Sequence, residues 1–333
     1  MAFSQFLFYR QLAELRQYAN ACGIRIIGDL PFYVCPDSAD LWARRELFMV
    51  DALNGQVLQY GGIPNRNGAD TNWGNPCCDW ERQRADGFSW WRMRIRYFAS
   101  VYDVLRIDHA VGLLHCYSIP SNGGRGSWQP GPDVDGTFSQ MIRNEADRSG
   151  ADIIMEDLGE VPPGLRERIS EMGFCCTRIL QYAYSAKYFA HSSHLPMYMS
   201  EKTACFTGTH DNTPLRDFLE EKSDQDLEYM KYMLNVPFRE DLHWALIRAA
   251  YDSPARYAIV PIQDLLELGQ EACMVNREHF EKAWLWRMKD FEGLKALRRR
   301  LRAMAVLSGR LEADEETSRA AVKTVEEAFV TWR

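Results

Sequence analysis

A chain of 333 residues, 46% hydrophobic and 26% charged, has the composition of a compact soluble protein with enough apolar side chains to bury a sizeable core. Its formal charge of −7 and pI near 5.6 disfavour a nucleic-acid partner, and no apolar run approaches the length of a membrane span. The nine cysteines show no CxxC or Cys/His ligand spacing, so buried free thiols without metal or cofactor are expected, and the first residues lack a secretory pattern, which makes a cytoplasmic address the default.

In chain order, residues 3–22 place Phe8, Leu12, Leu15 and Ala19 at three- and four-residue spacing, which predicts an amphipathic helix stopped by Gly23. The apolar run 23–29 then reads as a strand ending on Asp29. Residues 30–95, rich in Gly, Asn, Pro, Asp and Trp, are too long for a simple loop and are expected to form a subdomain beside the active site. Further apolar runs ending on polar or charged residues lie at 104–108, 152–156 and 204–209, the last leading into His210-Asp211. Weaker strands are expected at 178–182 and 257–262, with helices at 164–172, 224–234 and 242–251. In the helical tail, 281–333, Leu294, Leu297, Leu301 and Met304 alternate with basic residues, and Arg298-Arg299-Arg300 reads as a solvated helix face.

Strands alternating with helices imply parallel pairing, and charges gathered at strand C-termini are where (β/α)8 barrels place their chemistry. The expected fold is therefore α/β, an incomplete TIM barrel of about six strands over 1–29 and 96–280 with an insertion after its first strand. An open doubly wound sheet is the alternative, although neither GxGxxG nor GxxxxGK[ST] follows any strand.

Four segments sharpen this reading: GDLPFYVCPDSADLW from Gly28, LRIDHAVG from Leu105, MEDLGE from Met155 and TGTHDN from Thr207. In order and spacing they resemble the signature regions of the amylomaltases, the 4-α-glucanotransferases, as do WGNP from Trp73, GFSWWRMR from Gly87 and QDLLELGQEA from Gln263. The resemblance implies retaining transfer between α-1,4-glucans, maltooligosaccharides being the partners. Retention needs two carboxyl groups flanking one glycosidic bond. By motif, Asp108 resembles the nucleophile, Glu156 the general acid and base, and Asp211 a third carboxylate that grips sugar hydroxyls. Arg106, two residues before Asp108 on one strand, points to the same face and is expected to keep the nucleophile ionised. His210 and Asp29 match sugar-contacting and site-organising positions, and Trp73 and Tyr33 read as stacking or rim residues.

Taken singly, these residues have plainer readings. Arg106 and Asp108 alone would be a structural ion pair, one of Glu156 and Asp157 a structural strand end, and His210, His109 and His115 satisfied core histidines. Trp90 and Trp91 read as packing.

The sequence also departs from the amylomaltase pattern. Ala110 and Val111 stand where an aromatic residue and an arginine are usual, and residues 63–72 lack the usual aromatics. Thr213-Pro214 replaces an acidic and threonine pair, and Cys273-Met274-Val275-Asn276 an Arg-Met-Asn run. The strand ending at Asp29 resembles the third of the barrel, so six strands would leave exposed edges. Self-association, or a partner chain supplying strands, is one expectation. A non-catalytic glucan-binding fragment, or a related α-glucan hydrolase, is the alternative function.

Overall fold

The computed structural model describes residues 2–65, 68–187, 189–275 and 280–331, so Asn276 lies outside the described residues. The chain folds as two compact units, Met1–Cys176 and Thr177–Arg333.

The first unit holds helix α1 (Ala2–Ala21) and strand β1 (Ile27–Leu30), then α2 (Ala39–Ala43), β2 (Gln59–Ile63), β3 (Thr71–Pro76), α3 (Trp80–Ala85) and α4 (Ser89–Val101). There follow β4 (Val104–Ile107), β5 (His115–Pro120), β6 (Ser127–Pro130), α5 (Thr137–Ser149), β7 (Asp152–Met155) and α6 (Leu165–Glu171). Strand β8 (Cys175–Ile179) runs across the boundary. The second unit continues with β9 (Thr203–Phe206), α7 (Leu215–Glu220), α8 (Asp224–Leu234), α9 (Leu242–Asp252), β10 (Tyr257–Ile259), α10 (Ile262–Leu265), α11 (Glu292–Leu307) and α12 (Glu315–Thr331).

In the first unit β1, β4, β7 and the start of β8 are neighbours in that order, with parallel registers Asp29↔Arg106, Ile107↔Met155 and Met155↔Cys176. In the second, β9 lies between β8 and β10, again parallel to β10, with Phe206 opposite Ile259. Short apolar runs such as VLRI in β4 and TACF in β9 are buried along their whole length, as strands covered on both faces must be. The adjacent thiols Cys175 and Cys176 therefore face opposite sides of one buried strand. Cys22 and Cys35 are exposed, against expectation, because one sits in the turn leaving α1 and the other in the loop after β1.

Several boundaries move for identifiable reasons. Strand β1 starts only at Ile27, because the amide of Ile26 is taken by the Asp103 carboxylate, 2.8 Å away. Gly28 fits beneath the ring of Tyr102, where a Cβ would come within 2.2 Å of it. Strand β8 lies three residues ahead of the expected 178–182, since its ladder to β7 begins at Cys175, and 180–182 form a 3-10 turn. Strand β10 stops short because Pro261 opens α10. The sequence reading had no strands at 115–130, yet β5 and β6 join β2 and β3 in an antiparallel sheet ordered β3-β2-β5-β6.

The first core packs Phe32, Phe88, Trp90, Trp91 and Phe138 against the buried faces of α4 and α5, so Trp90 and Trp91 are packing residues. Arg94 lies over both indoles at 4.5 and 4.6 Å and donates to the Pro31 carbonyl. The expected stripe of α1 is mostly uncovered: Ala19 is buried, but Phe8 and Leu15 are exposed, as are Phe3, Phe6 and Tyr18. The second core gathers α8 and α9 around Leu227, Met230, Leu246 and Ile247. Of the basic run, Arg298 and Arg299 are exposed, whereas Arg300 lies 3.2 Å over the Trp244 ring and half-buried, which draws its pKa down to about 9. No helix among the described residues is long and apolar enough to cross a membrane.

Candidate active site

Three carboxylates of the first unit stand at the C-terminal ends of adjacent parallel strands. Asp29 is in register with Arg106, while Asp108 and Glu156 each follow the last residue of their strand, where Ile107 pairs with Met155. The ladder carries on past the strand ends, with the Asp108 amide donating to the Leu30 carbonyl and the Glu156 amide to the Ile107 carbonyl, both at 3.0 Å. The main chain alone thus sets Asp108 one step past the Leu30–Ile107 pair and Glu156 beside Asp108.

Arg106 joins two of them. Its Nη1 donates to both oxygens of Asp29, at 2.7 and 2.8 Å, and to Oδ1 of Asp108 at 3.0 Å. Burial opposes its charge, but the carboxylates of Asp29 and Asp108 outweigh burial and raise its pKa. Glu156 has the opposite environment. Burial, then the negative charge of Asp108, push its carboxyl up to about 8, against the pull of Arg106 and of the His109 amide. That amide donates to Glu156 Oε2 at 2.8 Å, and His109 itself adopts a left-handed backbone, φ 46°. Asp157, by contrast, is fully buried and paired with Arg166 at 2.7 Å, which makes it the structural member of the pair.

An aromatic group borders this cluster. The His109 ring meets Trp73 edge-on at 4.9 Å and Tyr33 at 6.0 Å, and burial lowers its pKa to about 4, so it is neutral near pH 7. Trp73, on β3, is 37% exposed, whereas Tyr33 is buried beneath it with ring centroids 5.8 Å apart. Asn75 of the same WGNP segment donates to the Val34 carbonyl, fastening β3 to the loop after β1. His115 stacks on Trp128 at 4.1 Å.

The second unit carries His210 and Asp211 on the loop after β9, with His210 Nε2 lying 3.3 Å from Asp211 Oδ2. No strand ladder reaches them, and side chains fix the loop. Buried Asp264 accepts from the Thr207 hydroxyl at 2.6 Å and from the Leu215 amide at 2.9 Å, closing the loop from both ends. Gln181 donates to the Thr213 carbonyl, and Asn212 holds the amide and hydroxyl of Thr209. A cavity of about 420 Å³, lined by Gln181, Asp211, Asn212, Gln270, Cys273 and Val275 among others, adjoins the loop. Asp264 is not singled out by the sequence: it is one acid in QDLLELGQEA, and only the fold buries it. Among the described residues no group of three or more His, Cys, Asp and Glu side chains could hold a metal.

The profile of the 4-alpha-glucanotransferase family matches residues 1–294. The chain belongs to that family. It is 35% identical over 291 residues to the 4-alpha-glucanotransferase of Synechocystis sp., covering 86% of this chain and 57% of that relative. It is also 35% identical over 324 residues to the chloroplastic/amyloplastic 4-alpha-glucanotransferase of Solanum tuberosum, covering 92% and 54%. Among solved structures, the amylomaltase from Streptococcus agalactiae in complex with acarbose superposes with a TM-score of 0.85 at 29% identity, covering 92% of this chain and 62% of that one. The chain therefore spans little more than half the length of the curated relatives it matches, and its fold is the amylomaltase barrel, incomplete, with six parallel strands.

Proposed function

We propose that this chain carries a retaining 4-α-glucanotransferase site acting on maltooligosaccharides. The observation that carries the reading is the pairing at adjacent strand ends of an Arg-held carboxylate, Asp108, with Glu156, a carboxyl whose proton is retained to about pH 8. Retaining transfer needs that asymmetry: one group ionised to attack, one protonated to release the leaving oxygen.

In this mechanism Arg106 holds Asp108 Oδ1, and Oδ2 attacks the anomeric carbon. The bond from that carbon to the leaving oxygen breaks as Glu156 gives the oxygen its proton. An incoming 4-hydroxyl then returns a proton to Glu156 and attacks the same carbon, freeing Asp108. Asp211, with His210, is assigned to grip sugar hydroxyls, Asp29 to fix Arg106, and Trp73 to stack on a sugar face with buried Tyr33 as its support. The same reading keeps the division into barrel body, 30–95 insertion and C-terminal helical segment, a cytoplasmic address, and a second chain or copy covering the exposed aromatic side of α1.

Incubating the chain with maltotriose tests the proposal. Glucose with longer oligomers is the expected outcome. Glucose with maltose alone means hydrolysis, and unchanged maltotriose overturns activity for this chain. Light scattering checks the exposed α1 face: a monodisperse monomer overturns association.

A further inference from the structure

Helices α4 and α5 meet across a cluster of charges that plays no part in the glucan chemistry. Arg92 and Arg96, four residues apart, share one side of α4, and Glu145 and Arg148, three apart, share the facing side of α5. Glu145 is fully buried and joins all three arginines. Its Oε2 accepts from Arg96 Nε at 2.5 Å. Its Oε1 accepts from Arg96 Nη2 at 3.0 Å, Arg92 Nη1 at 3.1 Å and Arg148 Nη1 at 3.3 Å. These bonds, that of Arg96 foremost, hold the Glu145 carboxyl below its ordinary range, so it is ionised. The side chains of Arg92, Arg96 and Arg148 are 35%, 56% and 65% exposed, so the cluster opens to solvent on its cationic side.

Three guanidinium cations thus meet one carboxylate, which leaves two positive charges uncompensated. The excess runs against the chain as a whole, in which 46 acidic residues outnumber 39 basic ones. Elsewhere in the first unit one acid answers one arginine, as in Arg84–Asp135, Arg143–Asp147 and Arg166–Asp157. Pinning α5 to α4 needs only the fork from Arg96, which already satisfies both oxygens of Glu145. Arg92 and Arg148 crowd further donors onto Oε1, an oxygen already engaged. Apart from Glu145, the cluster's acceptors among the described residues come down to the Gly87 carbonyl, which takes Arg92 Nε. Nη2 of Arg92, Nη1 of Arg96, and Nε and Nη2 of Arg148 therefore hold donors with no acceptor among the described residues.

We propose that Arg92, Arg96 and Arg148 form a binding site for a phosphoryl dianion, as inorganic phosphate or a phosphate monoester. Such a group carries a charge of about −2 and three strong acceptor oxygens, which matches both the excess charge and the free donors. Planar guanidinium forks are the donors best suited to it. Glu145 acts as the template that gathers three like charges, and its own oxygens, buried and occupied, leave the outer donors to the ligand. The site stands on two helices, away from the strand ends that carry Asp108 and Glu156, and does not depend on the glucan reading.

The test is calorimetric titration of the full chain with inorganic phosphate and with glycerol 3-phosphate, beside melting curves in each anion. Both are run at pH 8, where the second phosphoryl proton is gone, with ionic strength matched by sodium chloride so that screening is constant. Expected are a single saturable binding event and a raised Tm in the wild type. Arg148→Gln should melt as the wild type does in chloride, because Glu145 keeps two arginines, yet bind the phosphoryl group about tenfold more weakly, and Arg92→Gln should show the same loss of affinity. Equal affinity for the two probes identifies the bare phosphoryl group as the ligand, and tighter binding of glycerol 3-phosphate identifies a monoester; either supports the site. Absence of saturable binding in the wild type, wild-type affinity in either Gln variant, or an Arg148→Gln variant that melts well below wild type in chloride overturns the proposal.

Discussion

The two units hold their carboxylates by different means. In the first, Asp29, Asp108 and Glu156 are set by a continuous main-chain ladder, and side chains only tune their charge. In the second, His210 and Asp211 ride a loop shaped by Asp264, Gln181 and Asn212. A ladder built from amides and carbonyls persists whatever side chains it carries, whereas a loop latched by one buried acid depends on that acid. Substitutions in the first unit should therefore change chemistry while sparing the fold, and substitutions in the second should change both.

The largest effect is expected for Asp108→Asn, which keeps volume and ladder but removes the attacking oxygen: transfer should fall by at least about a thousandfold with an unaltered melt. A folded variant with wild-type rates would refute the nucleophile. Glu156→Gln should cost roughly 10²–10⁴ in transfer from maltooligosaccharides but spare the first step with a glucosyl fluoride. In the wild type, transfer should decline as pH rises through about 8, where Glu156 loses its proton.

The same substitution has a stability signature. Glu156 titrates near 8 when folded against 4.5 as its ordinary value, so between those pH values the folded state binds more protons and stability falls as pH rises. The Gln variant lacks that loss. Its advantage over wild type should grow between pH 5 and pH 8 by roughly 3–4 kcal/mol, read from denaturant melts at both. A constant difference would contradict a carboxyl held protonated by burial.

For the second unit, Asp264→Ala should lower stability by about 1–3 kcal/mol, since it strands the Leu215 amide and Thr207 hydroxyl in a buried setting. It should reduce transfer as well, through Asp211. Loss of stability with full activity would show that the loop holds its shape without the latch. Trp73→Ala should be mildest, raising KM up to about tenfold with kcat and Tm little changed, because its ring is more than a third exposed.

Much of the first unit was legible because a strand ending in a charged residue is a local pattern, and RIDH and MEDLGE report register as well as chemistry. The strands at 115–130 were not: β5 pairs with residues 59–61, which nothing local specifies, and β6 pairs with β5 in turn. Arg300 looked solvated because its neighbours in sequence are, while its indole partner sits more than fifty residues upstream.

The bond from His109 to Glu156 has a further consequence. Its donor is a main-chain amide, and every amino acid except proline brings that same group to position 109. A library of side-chain replacements would therefore pass over the contact, scoring only the ring that meets Trp73. Backbone chemistry would expose it: an ester in place of the 108–109 peptide link removes the N–H and little else. Glu156 would then hold its proton to a higher pH, and the alkaline limb of the rate profile would move upward with it.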